Sequence, residues 1–136
     1  MQTTIRDIIR TNIDYLTEDL LLTDAVKKII QADLPGLPVV NDNKELIGFV
    51  SEHDCILPMI SGTYHCDDRT LVKDLIQREP LSLTPDASLI NVAEMMANKK
   101  PKIYPILDEG KLVGIIYRQD VLKALSDEMK HCKPIV

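Results

Sequence analysis

The sequence has no tryptophan, one phenylalanine and only three cysteines among its 136 residues. Because the three cysteines (Cys55, Cys66 and Cys132) are odd in number and form no C-x-x-C pair, neither a disulfide framework nor a thiolate zinc site is expected. No basic segment followed by an unbroken apolar stretch opens the sequence. No apolar run approaches the roughly 18 residues that span a bilayer. These absences predict a cytoplasmic protein with reduced thiols and no membrane partner.

Positive charge is also scarce in this chain. The net charge is −5 at pH 7 and the isoelectric point is near 5.1, whereas duplex nucleic acid and anionic membranes are bound by basic surfaces. Neither partner is therefore expected, although locally concentrated positive charge could still hold a small anionic ligand. Hydrophobic residues make up 45% of the chain and charged residues 27%, which predicts a globular domain with its own core.

The sequence shows no catalytic motif. It contains no P-loop and no dinucleotide-binding glycine fingerprint, and no serine or cysteine has a recognisable base and orienting group beside it. The carboxylates have the positions of helix caps or surface charges. We therefore expect a protein that is not an enzyme.

Two copies of one sequence repeat make up the chain. Pro38 and Pro105 lie 67 residues apart, and the same offset aligns residues 5–9 (IRDII) with residues 72–76 (VKDLI). After the turn that follows the proline, Asp54 and Asp120 lie 66 residues apart, because the first repeat carries one extra residue in its NDNKE turn. We place the repeats at residues 1–66, with a linker, and residues 67–136.

Each repeat predicts the same order of elements: strand, helix, strand, strand, helix. The first helix of each repeat is indicated by an apolar stripe at i, i+3, i+4 and i+7. The two stripes are Leu22, Ala25, Val26 and Ile29, and Leu89, Val92, Ala93 and Met96. We expect Asp19 and Asp86 to cap these helices. Short β-branched runs around PVV and LIGFV, and around YPIL and LVGII, predict hairpins. Second helices are predicted at residues 52–60 and 119–129, with the polar segment SGTYHCDDRT (residues 61–70) as the linker.

The predicted fold class is therefore α+β. A repeat of fewer than 70 residues would leave one face of its small sheet exposed. We expect the two β-α-β-β-α repeats to pack sheet to sheet with pseudo-twofold symmetry, with clefts where they meet.

This pattern resembles the cystathionine-β-synthase (CBS) domain pair over nearly the whole chain. In that family a proline opens the second strand, and a motif G-h-x-[ST]-x-x-D stands at the last strand-to-helix junction. The first copy, GFVSEHD (residues 48–54), fits the motif completely. The second copy, GIIYRQD (residues 114–120), has Tyr117 where the family has a small hydroxyl residue.

The resemblance implies that the clefts bind adenosine compounds such as AMP, ADP, ATP or S-adenosylmethionine, with no required cofactor. The motif aspartate would hold the ribose hydroxyls, the motif serine or threonine would approach phosphate, and the other repeat would supply residues around its proline to sandwich adenine. One cleft would join Gly48, Val50, Ser51 and Asp54 to Thr84, Lys102, Tyr104 and Pro105. The other would join Gly114, Ile116, Tyr117 and Asp120 to Thr17, Leu37 and Pro38. In this second cleft only Arg118, or Lys102 reaching across, could compensate for the missing small hydroxyl.

The residue types suit this chemistry. An ionised carboxylate can accept two hydrogen bonds from a cis-diol, and the amides that open a helix favour a phosphate. A structural interpretation stands beside this one, because S-x-x-D before a helix is also a capping pattern. It explains Asp54 more readily than Asp120, whose partner Tyr117 is a poor cap.

Charge divides unevenly between the repeats. Residues 1–66 hold 5 Lys/Arg and 10 Asp/Glu, whereas residues 67–136 hold 11 of each. Several of these cations lie in Lys99-Lys100-Pro101-Lys102, just before the predicted adenine wall. We therefore expect Lys102 and Ser51 to make the Asp54 cleft the better phosphate site, and Tyr117 to favour an adenosine-like ligand or an empty site. A solvated lysine loop is the plainer alternative.

The hypothesis from the sequence is a regulatory module that binds adenosine nucleotides and signals to an unknown regulated protein. The first alternative is a structural dimerisation or docking module without nucleotide binding. The second is metal or redox sensing through the repeat-equivalent dipeptides His65-Cys66 and His131-Cys132, although no further ligands stand at zinc-like spacing. We also expect a homodimer built on helices, through Ile56, Leu57, Met59 and Ile60 and through Val121, Leu122 and Leu125.

Overall fold

The computed structural model describes residues 3–76, 80–98 and 100–132, which form a mixed α+β chain with two sheets and four helices. The elements in chain order are β1 (Leu16–Thr17), α1 (Leu22–Ala32), β2 (Gly36–Val40), β3 (Leu46–Ser51), α2 (Glu52–His65), α3 (Leu89–Ala97), β4 (Ile103–Asp108), β5 (Lys111–Tyr117) and α4 (Arg118–Lys130). The predicted α+β class and element order are confirmed. In the second repeat a single parallel bridge from Leu83 to Ile106 takes the place of β1.

Both predicted apolar stripes face a core. Helix α1 buries Leu22, Ala25 and Ile29, and helix α3 buries Leu89, Val92 and Met96. Removing one such Leu, Ile or Val side chain from water stabilises the fold by about 1.5–3 kcal/mol. The helical spacing of apolar residues therefore predicted correctly which face of α1 and which face of α3 is buried.

The predicted helix caps are wrong. Helix α1 starts at Leu22, and its N-cap Leu21 makes no side-chain cap hydrogen bond. Instead the amide of Leu22 donates to the carbonyl oxygen of Thr70 over 2.8 Å. At α3 the hydroxyl of Ser88 accepts from the amide of Asn91 over 3.4 Å. Asp19 and Asp86 each precede the N-cap residue by two positions, so neither is the cap.

Helix α2 runs five residues past its predicted end. It continues through Pro58 and Gly62 to His65, so half of the predicted linker is helical. The helix ends where Cys66 adopts a left-handed conformation (φ 51°) and its amide donates to the carbonyl of Gly62. Helix α4 begins one residue before its prediction and ends one residue after it.

The sheet of the first repeat has the strand order β1-β2-β3. Strand β1 pairs with β2 in parallel, with Leu16 opposite Val39. Strands β2 and β3 are antiparallel, which confirms the predicted hairpin, and the register shifts between Val39 and Val40. This bulge accommodates one extra residue of β3. Strands β4 and β5 form a second, two-stranded sheet.

The chain folds into two compact units, and each unit contains the opening segment of the other sequence repeat. We call these the exchanged segments: residues 3–11 lie in the Asp120 unit and residues 67–76 in the Asp54 unit. The Asp54 unit consists of Asn12–Leu81 and Glu109–Leu112, and the Asp120 unit contains the chain up to Thr11, Ser82–Asp108 and the chain from Val113 onward. In the Asp120 unit the amide of Ile5 donates to Ala87 O over 3.0 Å. In the Asp54 unit the amide of Val72 donates to Leu20 O over 2.8 Å.

The core of the Asp120 unit includes that exchanged segment. Its buried residues are Ile5, Leu89, Val92, Met96, Tyr104, Ile106, Ile116 and Val121. Val121 is thus a core residue, which corrects its prediction as part of a helical dimer surface, and Leu125 packs against the same core. Within the described residues, no helix is long and apolar enough to cross a membrane.

The two repeat-equivalent glycines differ in what surrounds them. A Cβ built on Gly114 would lie well inside 3.0 Å of the carbonyl oxygen of Arg10, which is backbone. A Cβ on Gly48 would lie 3.0 Å from side-chain atoms of Ile76, which can rotate away. Glycine at 114 therefore permits the close approach of the exchanged segment.

We expect Gly114→Ala to lower the free energy of unfolding by about 1–3 kcal/mol, because backbone must shift to admit the methyl group. The matched control Gly48→Ala should lower it by less. Urea denaturation followed by circular dichroism measures both variants. Equal losses in the two variants would contradict the proposed backbone contact at Gly114.

Candidate functional site

The two motif copies form equivalent strand-to-helix junctions, one in each unit. In the first, Ser51 ends β3 and is the N-cap of α2. The Ser51 hydroxyl oxygen accepts from the amide of Asp54 over 3.1 Å, and Asp54 Oδ2 accepts from the amide of Ser51 over 2.9 Å. This reciprocal capping box fixes the carboxylate at the opening of the helix.

The second junction has only half of this arrangement. Asp120 Oδ2 accepts from the amide of Tyr117 over 3.0 Å, but the phenol of Tyr117 makes no cap hydrogen bond. A tyrosine side chain is too long to turn back to the third amide of its own helix. The carboxylate is therefore held by one backbone amide, and its remaining acceptor capacity is directed elsewhere.

Arg10 supplies the missing partner. Its Nε lies 3.0 Å from Asp120 Oδ1 and 2.9 Å from Asp120 Oδ2. The backbone of Arg10 is fixed by two hydrogen bonds with Ile115 in β5, of 2.9 and 3.0 Å. Gly114 leaves room for this backbone. The exchanged N-terminal segment thereby carries a cation to a carboxylate 110 residues away.

The ring of Tyr117 lies close to two guanidinium groups. The guanidinium carbon of Arg10 is 5.7 Å from the ring centroid, and that of Arg118 is 5.5 Å from it. Both distances are within the range of cation–π attraction. The second junction therefore combines two cations and one carboxylate around an aromatic ring.

The residues predicted to form the adenine walls lie in the strands and turns of the two units. In the Asp54 unit, Leu37 pairs with Val50 and Pro38 with Phe49 across the hairpin. Thr17 is exposed at the edge of this sheet, opposite Val40. These residues share one sheet with Gly48, so the structure brings them together with the Asp54 junction in one unit.

In the Asp120 unit, the hydroxyl of Thr84 donates to Asp86 over 2.5 Å. This bond is the main cause of a lowered pKa of Asp86. The carbonyl of Pro105 accepts from the amide of Leu83 over 3.0 Å. Tyr104 is fully buried, its hydroxyl has no hydrogen-bond partner among the described residues, and burial raises its pKa.

Lys102 has a structural partner that the sequence did not reveal. Its ammonium donates to the carbonyl of Met96 and, over 2.6 Å, to that of Asn98. It therefore caps the carboxyl end of α3, where a cation is favoured by the free carbonyls. Lys99 of the same lysine cluster lies outside the described residues.

Eight of the predicted site residues have buried side chains or are buried glycines, so they would meet a ligand chiefly through their backbone. They are Leu37, Pro38, Gly48, Val50, Tyr104, Pro105, Gly114 and Ile116. Thr17, Thr84 and Arg118 are exposed, and Ser51, Asp54, Lys102, Tyr117 and Asp120 are half-buried. The predicted pairing of each junction with residues of the other unit stays a prediction.

Arg10 is the residue that sequence reasoning missed. In the repeat alignment its equivalent is Gln77, so it does not belong to the repeated pattern. The sequence did contain a signal: directly after two matching segments, residues 5–9 and 72–76, a charged arginine stands opposite an uncharged glutamine. Gln77 lies outside the described residues.

The cysteines and histidines form no metal cluster in the part of the chain that the structure describes. No group of three or more His, Cys, Asp or Glu side chains lies close enough there to hold a metal ion. Cys66 and Cys132 are exposed, and Cys55 is buried. Burial, followed by the charges of Asp54 and Glu52, raises the pKa of Cys55, which keeps it a neutral thiol.

Comparison with known proteins identifies the family of this chain. A family model of the CBS domain matches residues 5–59 and 72–127. The chain is 30% identical over 124 residues to MJ1225, an uncharacterized protein of Methanocaldococcus jannaschii, with 91% of this chain and 43% of that protein covered. It thus spans less than half the length of MJ1225, and 59% of the curated protein CBSX2 of Arabidopsis thaliana.

Two solved structures are similar over almost their whole length. The crystal structure of the CBS-pair protein CBSX2 from Arabidopsis thaliana has a TM-score of 0.81 at 27% identity and covers 97% of this chain and 100% of that chain. A structure of CBSX2 in complex with AMP has a TM-score of 0.78 at 26% identity and covers 93% of this chain and 98% of that chain.

The capping box at the Asp54 junction predicts a stability difference between the two junctions. We expect Ser51→Ala to destabilise the protein by about 0.5–2 kcal/mol, because the amide of Asp54 loses its acceptor. Tyr117→Phe removes a hydroxyl that makes no described hydrogen bond, and should change stability by less than about 0.5 kcal/mol. Urea unfolding midpoints measure both. A larger loss for Tyr117→Phe would show that the tyrosine hydroxyl is a cap after all.

Proposed function

The chain belongs to the CBS domain family, and from this premise we propose that it is a non-enzymatic regulatory module that binds adenosine nucleotides. The observation that carries the proposal is the repetition of one junction. Asp54 and Asp120 stand at equivalent positions, each held by the backbone amide that opens a helix. Reciprocal capping explains Asp54 but not Asp120, because the full capping box is present only at Asp54. A shared binding role would explain both aspartates.

The first junction has free capacity for a ligand. Asp54 Oδ1 makes no hydrogen bond within residues 3–76, 80–98 and 100–132, so it can accept from a ribose hydroxyl while Oδ2 keeps its backbone bond. The Ser51 hydroxyl is an acceptor in the capping box, and its own hydrogen remains free to donate to a phosphate oxygen. Helix capping and ligand binding are therefore compatible roles for both residues.

The complex of CBSX2 with AMP supports an adenosine ligand. AMP, ADP, ATP and S-adenosylmethionine all carry the ribose cis-diol that a motif carboxylate would accept. We propose that occupancy biases the protein between arrangements that a regulated protein distinguishes, which requires that the ligand bind these arrangements with different affinity. We further propose a cytoplasmic location, where these nucleotides are available.

Helix α2 favours a second candidate function, dimerisation or docking without nucleotide. Ile56, Leu57 and Ile60 are 54%, 76% and 58% exposed. Three large apolar side chains within five residues of one helix are unusual on the surface of a monomer. We propose that a second copy of this chain covers them, and that this homodimer forms without nucleotide. Of the α4 residues in the predicted dimer surface, Leu122 is also exposed (68%).

We expect Asp54→Asn to weaken adenosine-nucleotide binding about 10–100-fold. The substitution preserves an acceptor for the amide of Ser51 but removes the charge from the bonds to ribose, a loss of about 1.5–3 kcal/mol. Calorimetry with AMP, ADP, ATP and S-adenosylmethionine measures the change. The control Glu52→Gln removes the same charge from an exposed neighbour and should leave affinity unchanged. Equal affinities in wild type and Asp54→Asn would remove Asp54 from the site.

We expect a dimeric mass by light scattering at micromolar concentration, and a monomeric mass for Leu57→Glu, because an uncompensated charge would be buried in the interface. Gln31→Glu adds the same charge at an exposed position of α1 and should stay dimeric. A monomeric wild type at that concentration would eliminate the homodimer while leaving the nucleotide proposal intact.

A further inference from the structure

The carboxylate of Asp120 is already engaged by a cation of its own unit. Both of its oxygens accept from Arg10 Nε, and one also accepts from the amide of Tyr117. The Asp120 side chain is 17% exposed and that of Arg10 is 38% exposed. A ribose cis-diol that takes both oxygens of Asp120 therefore competes with Arg10 for them. Because Arg10 is accessible to water, this pair is weaker than a buried one and can be exchanged.

A displaced Arg10 guanidinium would still lie near a second guanidinium, that of Arg118. Arg10 and Arg118 both lie against the ring of Tyr117, at 5.7 and 5.5 Å from its centroid. The side chain of Arg118 forms no ion pair among the described residues. Once Asp120 is occupied by uncharged hydroxyls, two guanidinium groups would remain beside one ring without an anion. An anionic group on the same ligand would satisfy both.

The charges recorded at the Asp54 junction are different. Asp54 forms no ion pair within the described part of the chain, and the neighbouring charge on α2 is that of Glu52. Lys102, the cation expected from the sequence to serve this junction, is engaged by the carbonyls at the end of α3. Among residues 3–76, 80–98 and 100–132, Asp120 therefore has a cationic partner and Asp54 has none.

We propose that Arg10 is a specificity-determining residue of the Asp120 site, which exchanges from the carboxylate of Asp120 to the phosphate of an adenosine 5′-phosphate when that ligand binds. The inference rests on the proposed function, and it reverses the preference expected from the sequence. A nucleoside 5′-phosphate supplies both halves of the exchange: its hydroxyls take over Asp120, and its phosphate takes over Arg10 with Arg118. Adenosine supplies only the first half and leaves Arg10 unpaired. S-adenosylmethionine has no phosphate and a net positive charge, and its one anionic group is a carboxylate, so it is disfavoured relative to AMP beside two guanidinium groups.

The test compares the affinities of AMP and adenosine for the full chain by calorimetry. The chain carries Asp54→Asn, which weakens the Asp54 site, so that the measured binding is that of the Asp120 site. We expect AMP to bind more tightly than adenosine. In Arg10→Gln, AMP affinity should fall about tenfold, the equivalent of one charge-assisted hydrogen bond. Adenosine affinity should stay equal or rise, because its competitor for Asp120 is gone. The ratio of the two affinities should therefore collapse.

Arg118→Gln is the matched variant, since it removes a guanidinium from the same ring and leaves the pair of Arg10 with Asp120 intact. It should weaken AMP without changing adenosine. Arg10→Lys retains the charge and should keep most of the AMP preference, and it serves if Arg10→Gln does not fold. Raising the salt concentration should weaken AMP binding more in the parent than in Arg10→Gln, because phosphate contacts are screened.

Three results would overturn the inference. A parallel loss of AMP and adenosine affinity in Arg10→Gln would make Arg10 a support that only orients Asp120. A parallel gain would make it only a competitor for the carboxylate. Unchanged affinities for both AMP and adenosine in Arg10→Gln would remove Arg10 from the site and leave the proposed function standing. If neither AMP nor adenosine binds to the wild-type chain, the proposed function fails, and the inference fails with it.

Discussion

The hydrogen bond from a helix-opening amide to a carboxylate three residues later is the interaction on which both candidate sites depend. It positions Asp54 at the start of α2 and Asp120 at the start of α4. Because the amide uses one lone pair of one oxygen, the rest of each carboxylate is available to another partner. The local backbone geometry thus creates a fixed acceptor, and the neighbours of each acceptor decide what it can bind.

Those neighbours differ because the two repeats carry different residues around the shared aspartate. Serine at 51 closes a capping box, whereas tyrosine at 117 cannot, and instead offers its ring to two guanidinium groups. Arginine at 10 corresponds to glutamine at 77 in the repeat alignment. Three differences between the repeats, Ser51 against Tyr117, Gln77 against Arg10 and Glu52 against Arg118, therefore distinguish the two junctions in sequence. The net charge of a repeat did not reveal this, since repeat 1 supplies Arg10.

Local features of the sequence predicted much of the fold. The repeat offset, the apolar stripes and the hairpin runs each depend on residues close in the chain, and the structure follows them. Three features could not be obtained in this way. Helix α2 continues through Pro58 and Gly62 to a cap formed at Cys66, Lys102 binds carbonyls at the end of α3, and Arg10 meets a carboxylate 110 residues away. Each depends on tertiary contacts or on a terminus geometry that propensity does not encode.

The exchanged first segments also bear on how such a chain could have arisen. Each compact unit takes its opening residues from the other sequence repeat, and Ile5 lies in the core of the Asp120 unit. In an ancestral protein with one repeat, the same arrangement would require each copy to place its opening segment in the unit of a second copy, which is reciprocal domain swapping. Gene duplication would then have joined two already intertwined copies. On this account the tandem arrangement records an older dimer, fixed in a single polypeptide.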